Sequence, residues 1–320
     1  MVAQCVQLTD RDMPTLYQQS DRASKFAQTL FFRLLGSELI LITLGALVSL
    51  LGGLVHPTPA IDIGSITLLG HTVTFVPVVE LIAGALIFAA LVIRLIRFFG
   101  HFDAKWYEAR AVAETAKSVA WRYAVGGRPF GLDSASQDQE QFTTRSQDIV
   151  RDMHKRWRAE GLAALGQITE SMRALRDQPL NERQRAYLNG RIRDQRAWYE
   201  TRQQENRRRA LVAHWVLVAF EFLGIVFAVL QALGIVNLNL QTLATALVSG
   251  GIAWTQAQRY EELSASYGVA ASEAAALETA PQVSDPIKEA EWAAFVDSAE
   301  EAFSREHRLW RAVRTPEPAI

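Results

Sequence analysis

Three consecutive arginines, Arg207, Arg208 and Arg209, run without a break into an almost purely hydrocarbon stretch, and this switch constrains the chain more than any other feature. Residues 181–209 read as a basic polar helix dotted with aromatics, in which no proline and only Gly190 interrupts the pattern. Residues 210–236 are roughly 27 positions, or about 40 Å of helix, enough to cross a hydrocarbon core of about 30 Å with some tilt. The uncharged turn Val236-Asn-Leu-Asn-Leu-Gln241 leads into a weaker return crossing, 242–257, diluted by Gln241, Ser249, Gly250, Gly251 and Gln256. Apolar runs of this length fit a bilayer far better than the buried hairpin of a large soluble protein.

Averages conceal this segregation. The chain of 320 residues is 49% hydrophobic and 21% charged, with a mean hydropathy of +0.04, as an ordinary soluble protein would be. Its apolar residues nevertheless gather in two blocks, about 30–99 and 210–257, and the rest is strongly charged. A net charge of -1 gives no reason to expect a nucleic-acid partner. The single cysteine, Cys5, excludes an intrachain disulfide framework and fits a reducing compartment. Asp10, Asp12 and Asp21 stand where a signal peptide would carry basic residues, so none is expected.

Along the chain, residues 1–20 read as a loosely ordered arm. A helix starts near Ser20 or Asp21 and runs into a first crossing, about 34–55, which His56-Pro-Thr-Pro59 stops. The alternation of Ile61, Ile63, Ile66, Leu68 and Leu69 suggests a small β-hairpin around Gly64-Ser65, before a second crossing at about 73–93, kinked at Pro77. Neither hairpin tip carries Lys or Arg, whereas Arg22, Lys25, Arg33, Arg94, Arg97, the Arg207 to Arg209 cluster and Arg259 all lie on the other side. By the positive-inside rule both termini and the middle of the chain are cytoplasmic. The expected fold is an all-α integral membrane protein with two transmembrane helical hairpins, four crossings, and long cytosolic helical extensions. Its parts are an arm (1–20), a first hairpin unit (21–130), a linker and helix (131–179), a second hairpin unit (180–314) and a tail (315–320).

The cytosolic helices are expected at 102–124, 142–175, from 180 or 181 onward, at 261–277, and from the cap Ser284-Asp285-Pro286 to 314. On the first, Trp106, Arg110, Glu114, Lys117 and Trp121 share a face on which opposite charges pair between two indoles. Such a face offers an anionic nucleotide signal a surface, although a packed helix interface explains the same pattern more simply. Trp106-Tyr-Glu-Ala-Arg110 recurs as Trp198-Tyr-Glu-Thr-Arg202, which adds Trp198, Tyr199 and Arg202 to the candidate cytosolic interface, as does Trp310 on the last helix. Within the apolar runs stand Glu38, Glu80 and Glu221, where an ionised carboxylate is costly and is normally turned to a bundle interior or a water-filled path. Glu221 is the deepest, about 16 Å past the arginine cluster; the bland alternative for all three is a protonated or paired glutamate that specifies packing. Six histidines lack ligand spacing, and Gly126-Gly127 is followed by Arg128-Pro129 and not by a phosphate loop. No metal, no cofactor and no enzyme activity are expected.

The motifs resemble those of the SLATT superfamily, the two-transmembrane effectors associated with SMODS and SLOG proteins, a DUF4231-type group. The first half is similar to its subgroup 3 through Lys105-Trp-Tyr-Glu-Ala-Arg-Ala-Val-Ala-Glu114, Lys117, Trp121-Arg-Tyr123 and Arg128-Pro-Phe130. The second half is similar to subgroup 1 through Tyr187-Leu, Arg191, Asp194-Gln195, Trp198-Tyr199, Asn206, Ser304-Arg-Glu-His307 and Trp310. The resemblance implies a pore-forming or membrane-depolarising effector of a bacterial conflict or antiviral system in the inner membrane. It would answer a nucleotide second messenger or a sensor protein; no sensor domain is expected within these residues. Four helices of one chain would fill their own core with side chains, so a conducting path needs several chains around an axis and a homo-oligomer is expected. A non-conducting membrane scaffold and a small-ion transporter are the alternatives.

Overall fold

The N-terminal residues expected as a loose arm are folded from Leu8 onward. Leu8, Met13, Leu16 and Tyr17 are buried, and a 3-10 turn at Asp10–Asp12 precedes α1, Thr15–Gly52. The Asp12 carboxylate accepts from the Thr9 N–H at 2.9 Å and from the Thr9 hydroxyl at 2.7 Å, so the polar residues that looked like solvated arm instead cap the turn. The computed structural model describes residues 8–52, 60–68, 71–132, 135–156, 168–236, 238, 240–279 and 288–314. They form two units: a polar one of Met1–Gln28, Phe102–Gln204 and Ser264–Ile320, and an apolar one of Thr29–His101 and Glu205–Leu263.

In the apolar unit a β-hairpin, β1 (Ala60–Leu68) and β2 (His71–Pro77), follows α1. Leu68 pairs with His71, so the chain reverses beyond Leu68, and Gly64-Ser65 falls in the irregular stretch between Asp62 and Ile66. The small β-hairpin expected here is therefore present with its turn displaced, and the other regular elements among the described residues are helices. β2 also takes residues 73–77 from the expected second crossing, and α2 begins later, at Val78–Gly100. Pro77 does not kink this helix; with φ -61° and no N–H to leave unsatisfied, it starts it.

Helices α7 (Asp194–Ala232) and α8 (Leu240–Gln258) form the second hairpin of this unit. Close approaches at glycines hold both hairpins. A Cβ added to Gly52 would lie 2.5 Å from Val79 Cγ1, and one on Gly251 would lie 2.5 Å from Leu217 Cδ2. Small residues let helices meet where lipid supplies no hydrophobic drive for association. Among the described residues three helices are long and apolar enough to cross a membrane: Thr15–Gly52, Val78–Val125 and Leu180–Ala232. Helix α8, 19 residues long and the weakest apolar run in the sequence, is not among them.

The polar unit is built around α3, Phe102–Val125, which packs against α4 (Ala135–Arg156), α5 (Glu170–Arg176), α6 (Leu180–Tyr187) and α10 (Glu289–Arg314). Helix α9, Tyr260–Thr279, adds Ala270, Ala271 and Ala274 to the same core. The single helix expected at 142–175 is divided. Its first part begins earlier, at Ala135, and α5 has its own cap, with the Thr169 hydroxyl accepting from the Met172 N–H at 3.3 Å. The expected cap Ser284-Asp285-Pro286, the tail 315–320 and the Trp310 side chain lie outside the described residues.

The helix expected to run unbroken from 180 contains a π-helical segment, Leu188–Arg193, between α6 and α7. Its cause is legible in burial. Arg183, Tyr187, Arg191, Gln195 and Tyr199 are all buried at strict four-residue spacing. An α-helix drifts by about 40° at each such step. The extra residue of a π turn takes up part of that drift and keeps the row facing one core.

Candidate functional site

The three carboxylates of the apolar runs have three different surroundings. Glu38 on α1 is 5% exposed, and its Oε2 accepts from Arg97 Nη2 of α2 at 2.8 Å while Arg94 Nε lies 3.9 Å from Oε1. Its partners are therefore across the hairpin and not the nearby Arg33. Arg97 also lies 5.6 Å over the Phe31 ring. Because a buried charge is tolerable only while paired, this contact ties α1 to α2. Glu80 is exposed in the first turn of α2, where the helix dipole favours a carboxylate, and accepts from Ser49 Oγ at 3.4 Å. Glu221 is exposed on α7 beside Phe222, 64% exposed, and Ile225, 63% exposed. Among the described residues no hydrogen bond or ion pair reaches it.

The charged and aromatic face of α3 is turned into the polar unit. Arg110 pairs with Glu114 at 2.5 Å, as the i, i+4 spacing predicts, and also stands 3.6 Å from Asp21. Lys117 pairs instead with Asp10 at 2.8 Å and lies 5.6 Å over the Tyr17 ring. Burial pushes the Asp10 carboxyl up, but the hydrogen bond and charge of Lys117 outweigh it and hold the group below its ordinary value. Trp106 is buried and stacks on Tyr107 with centroids 4.5 Å apart; Trp121 is buried edge-on to Tyr187 at 5.7 Å.

The repeated motif does not repeat its packing. In the first copy Trp106 is buried and Tyr107 half-buried; in the second Tyr199 is buried and Trp198 half-buried, with Arg202 5.6 Å over the Trp198 ring. The two copies share residue types but turn opposite members of the pair inward.

The most demanding polar cluster was not among the sequence candidates. Arg191 grips Glu300 with two bonds, Nε to Oε1 at 2.9 Å and Nη2 to Oε2 at 2.8 Å, and the Tyr187 hydroxyl donates to the same Oε1 at 2.9 Å. All three are buried. Burial, then the Glu300 charge, pushes the Tyr187 hydroxyl well above the ordinary tyrosine value, so it stays a neutral donor. Alongside, Arg183 donates to the Val125 carbonyl at 2.8 Å and pairs with Glu289, and Arg176 donates to the carbonyls of Tyr123, Phe130 and Gly131 at 2.6, 3.1 and 3.0 Å. Trp292 Nε1 adds a bond to Val125 O at 2.9 Å. At Tyr123 and Val125 these donors reach carbonyls in the last turn of α3, and at Phe130 and Gly131 carbonyls of the segment after it. The signal that finds the cluster is the four-residue step Arg183, Tyr187, Arg191; no sequence rule names Glu300, which is more than a hundred residues away.

Two family models match in tandem. Residues 14–184 match SMODS and SLOG-associating 2TM effector domain 3, and residues 187–310 match SMODS and SLOG-associating 2TM effector domain 1. Comparison with curated proteins and with solved structures gave no match. The boundary falls inside the row of buried arginines. Trp121, Arg176 and Arg183 come from the first match and Tyr187, Arg191, Trp292 and Glu300 from the second, so both domains contribute to the one core of the polar unit.

Proposed function

Because the chain belongs to the SMODS and SLOG-associating two-transmembrane effector family and carries two of its domains in tandem, we propose that it is a membrane effector that depolarises a bacterial inner membrane from several assembled copies. In this reading the hairpins make four crossings and the polar unit lies in the cytoplasm, where a nucleotide-derived signal or a partner protein acts on it. Arg94, Arg97, Arg207, Arg208, Arg209 and Arg259 then end the crossings on the cytoplasmic side. Electrostatics, packing and conformational change carry the function, with no catalytic step.

The observation that carries the reading is the outward face of the apolar unit. Phe88 is 66% exposed and Ile82, Ile87, Leu91, Phe98 and Phe222 are exposed with it, a surface that water does not tolerate at this extent and that lipid does. Glu38, sealed by Arg97, serves hairpin packing here and not ion passage. The test is reconstitution of the full chain in liposomes with a potential-sensitive dye, alongside the particle mass in nanodiscs. Particles of several copies that collapse an imposed potassium gradient are expected. A strict monomer that leaves the gradient intact with and without cytosolic extract defeats the proposal and favours a non-conducting scaffold.

A further inference from the structure

Helices α7 and α8 pack antiparallel, with Gly224 against Ala244, where an added Cβ would meet the Ala244 Cβ at 3.2 Å, and with Gly251 against Leu217. These two contacts fix the register. Glu221, three residues before Gly224 and four after Leu217, comes level with position 247, between Thr245 and Ser249. At about 1.5 Å of rise per residue, both hydroxyl-bearing residues lie within about 3 Å of the Glu221 level along the hairpin.

Direction agrees with depth. Gln241, Thr245, Ser249 and Gln256 recur at i, i+4, i+8 and i+15, which is one face of α8, and all four are exposed. Trp254, which meets Phe32 of α1 with centroids 5.9 Å apart, lies on a different side of α8. At about 100° per residue, with the two helices running in opposite directions, Glu221 and the α8 stripe come to the same side of the hairpin, away from α1. The Thr245 hydroxyl bonds its own helix at Gln241 O, 2.9 Å away, and no bond from the described residues reaches Glu221.

A carboxyl flanked by hydroxyls and amides is costly against lipid, whereas the outward face of α2, with Ile87, Phe88, Leu91 and Leu95 exposed, is not. We propose that the α7–α8 face bearing Glu221, Thr245 and Ser249 is the surface on which copies of this chain meet, with α2 facing lipid. This rests on the reading that several copies assemble. The occupant is a second copy because the face is self-complementary: each hydroxyl and amide both donates and accepts, and the carboxyl accepts from hydroxyls at its own depth. Around a closed axis these groups form a level of carboxyls bracketed by hydroxyls, and α7 and α8, not α1 and α2, line the path.

The test uses the full chain in vesicles, with Cys5, its single cysteine, replaced by serine. Thr245→Cys, Ser249→Cys and, separately, Phe88→Cys are oxidised with copper phenanthroline, and particle mass is measured on the same preparations. The expected result is a shift from monomer to disulfide dimer for Thr245→Cys and Ser249→Cys and none for Phe88→Cys, since a disulfide forms only where Cα atoms approach within about 7 Å. A particle of several copies in which Phe88→Cys cross-links, or in which none of the three does, overturns the α7–α8 surface and leaves the assembled effector standing. A single-copy particle with no cross-link and no depolarisation overturns both. Ser249→Cys changes one atom, so a particle that keeps its parent mass separates surface from folding.

Discussion

Glu300 in the polar unit and Glu221 in the apolar unit are both carboxylates on long helices, and the chain treats them in opposite ways. Glu300 is 0% exposed and has a bidentate arginine and a tyrosine hydroxyl, while Glu221 is exposed among phenylalanine and isoleucine with no hydrogen bond or ion pair among the described residues. In water a polar surface is cheap and a buried charge must be paired from within. In lipid the expense is reversed: the outward face is the costly place for a charge, and it is relieved by a proton, by water or by a group from another molecule. Glu300 is thus satisfied from within the polar unit, whereas Glu221 presents a requirement that the described residues of the apolar unit do not meet. Glu38 shows that the apolar unit pairs a carboxylate when its own helices supply the cation, so the isolation of Glu221 is particular to that site.

The comparison breaks most readily at Arg191. Arg191→Met strands Glu300 in the core and is expected to cost about 3–5 kcal/mol, read as a loss of thermal stability by circular dichroism in detergent; adding Glu300→Leu restores most of it. If Arg191→Met melts as the parent does, the polar unit does not depend on internal pairing. A smaller effect is expected at the equivalent pair of the apolar unit. Arg97→Met removes a charge-assisted bond worth about 1.5–3 kcal/mol, which appears as easier proteolysis of the first hairpin in nanodiscs while the core around Trp292 keeps its protection.

Acid separates the units further. Burial pushes the Asp12 carboxyl up, but bonds from Thr9 and Ser171 outweigh it and hold the group below its ordinary 3.8. The folded carboxyl releases its proton more readily than the unfolded one, so its contribution is complete above 3.8 and disappears as pH falls through the lowered value. Asp12→Asn is expected to melt below the parent at neutral pH, with the gap closing in acid. A gap that is constant with pH would mean that the bonds do not depend on charge. The smallest effect belongs to Phe222→Ala, expected within about 0.5 kcal/mol because the ring meets solvent or lipid and not a packed core. A larger loss in nanodiscs than in detergent would extend the meeting surface between copies to Phe222.

Much of the architecture was legible because lipid imposes long uninterrupted runs that other residues cannot imitate. Of the expected crossings, residues 34–52 fall on α1, 73–93 on β2 with α2, and 210–232 on α7, and the weaker run 242–257 falls on α8. The errors share one cause. Leu8, Met13, Leu16 and Tyr17 sit among polar residues and read as an arm, yet each is buried, because burial depends on what another part of the chain brings near. The β-hairpin turn was misplaced because Gly64-Ser65 has turn chemistry, while strand register is fixed by pairing along its whole length. The Arg110–Glu114 pair is legible because an i, i+4 contact is local; the Lys117–Asp10 pair is not, because Asp10 lies far along the chain.

The sequence by itself determined that this chain has apolar helices of membrane length, where its basic residues gather, and which family motifs it carries, because these depend on composition and short spacing. Only the tertiary structure decided that the charged face of α3 points inward, that Arg191 closes on Glu300, and that Glu38 is paired while no ion pair among the described residues reaches Glu221. The physical reason is that a charge is worth what its neighbours make it worth, and neighbours distant in sequence are set by packing.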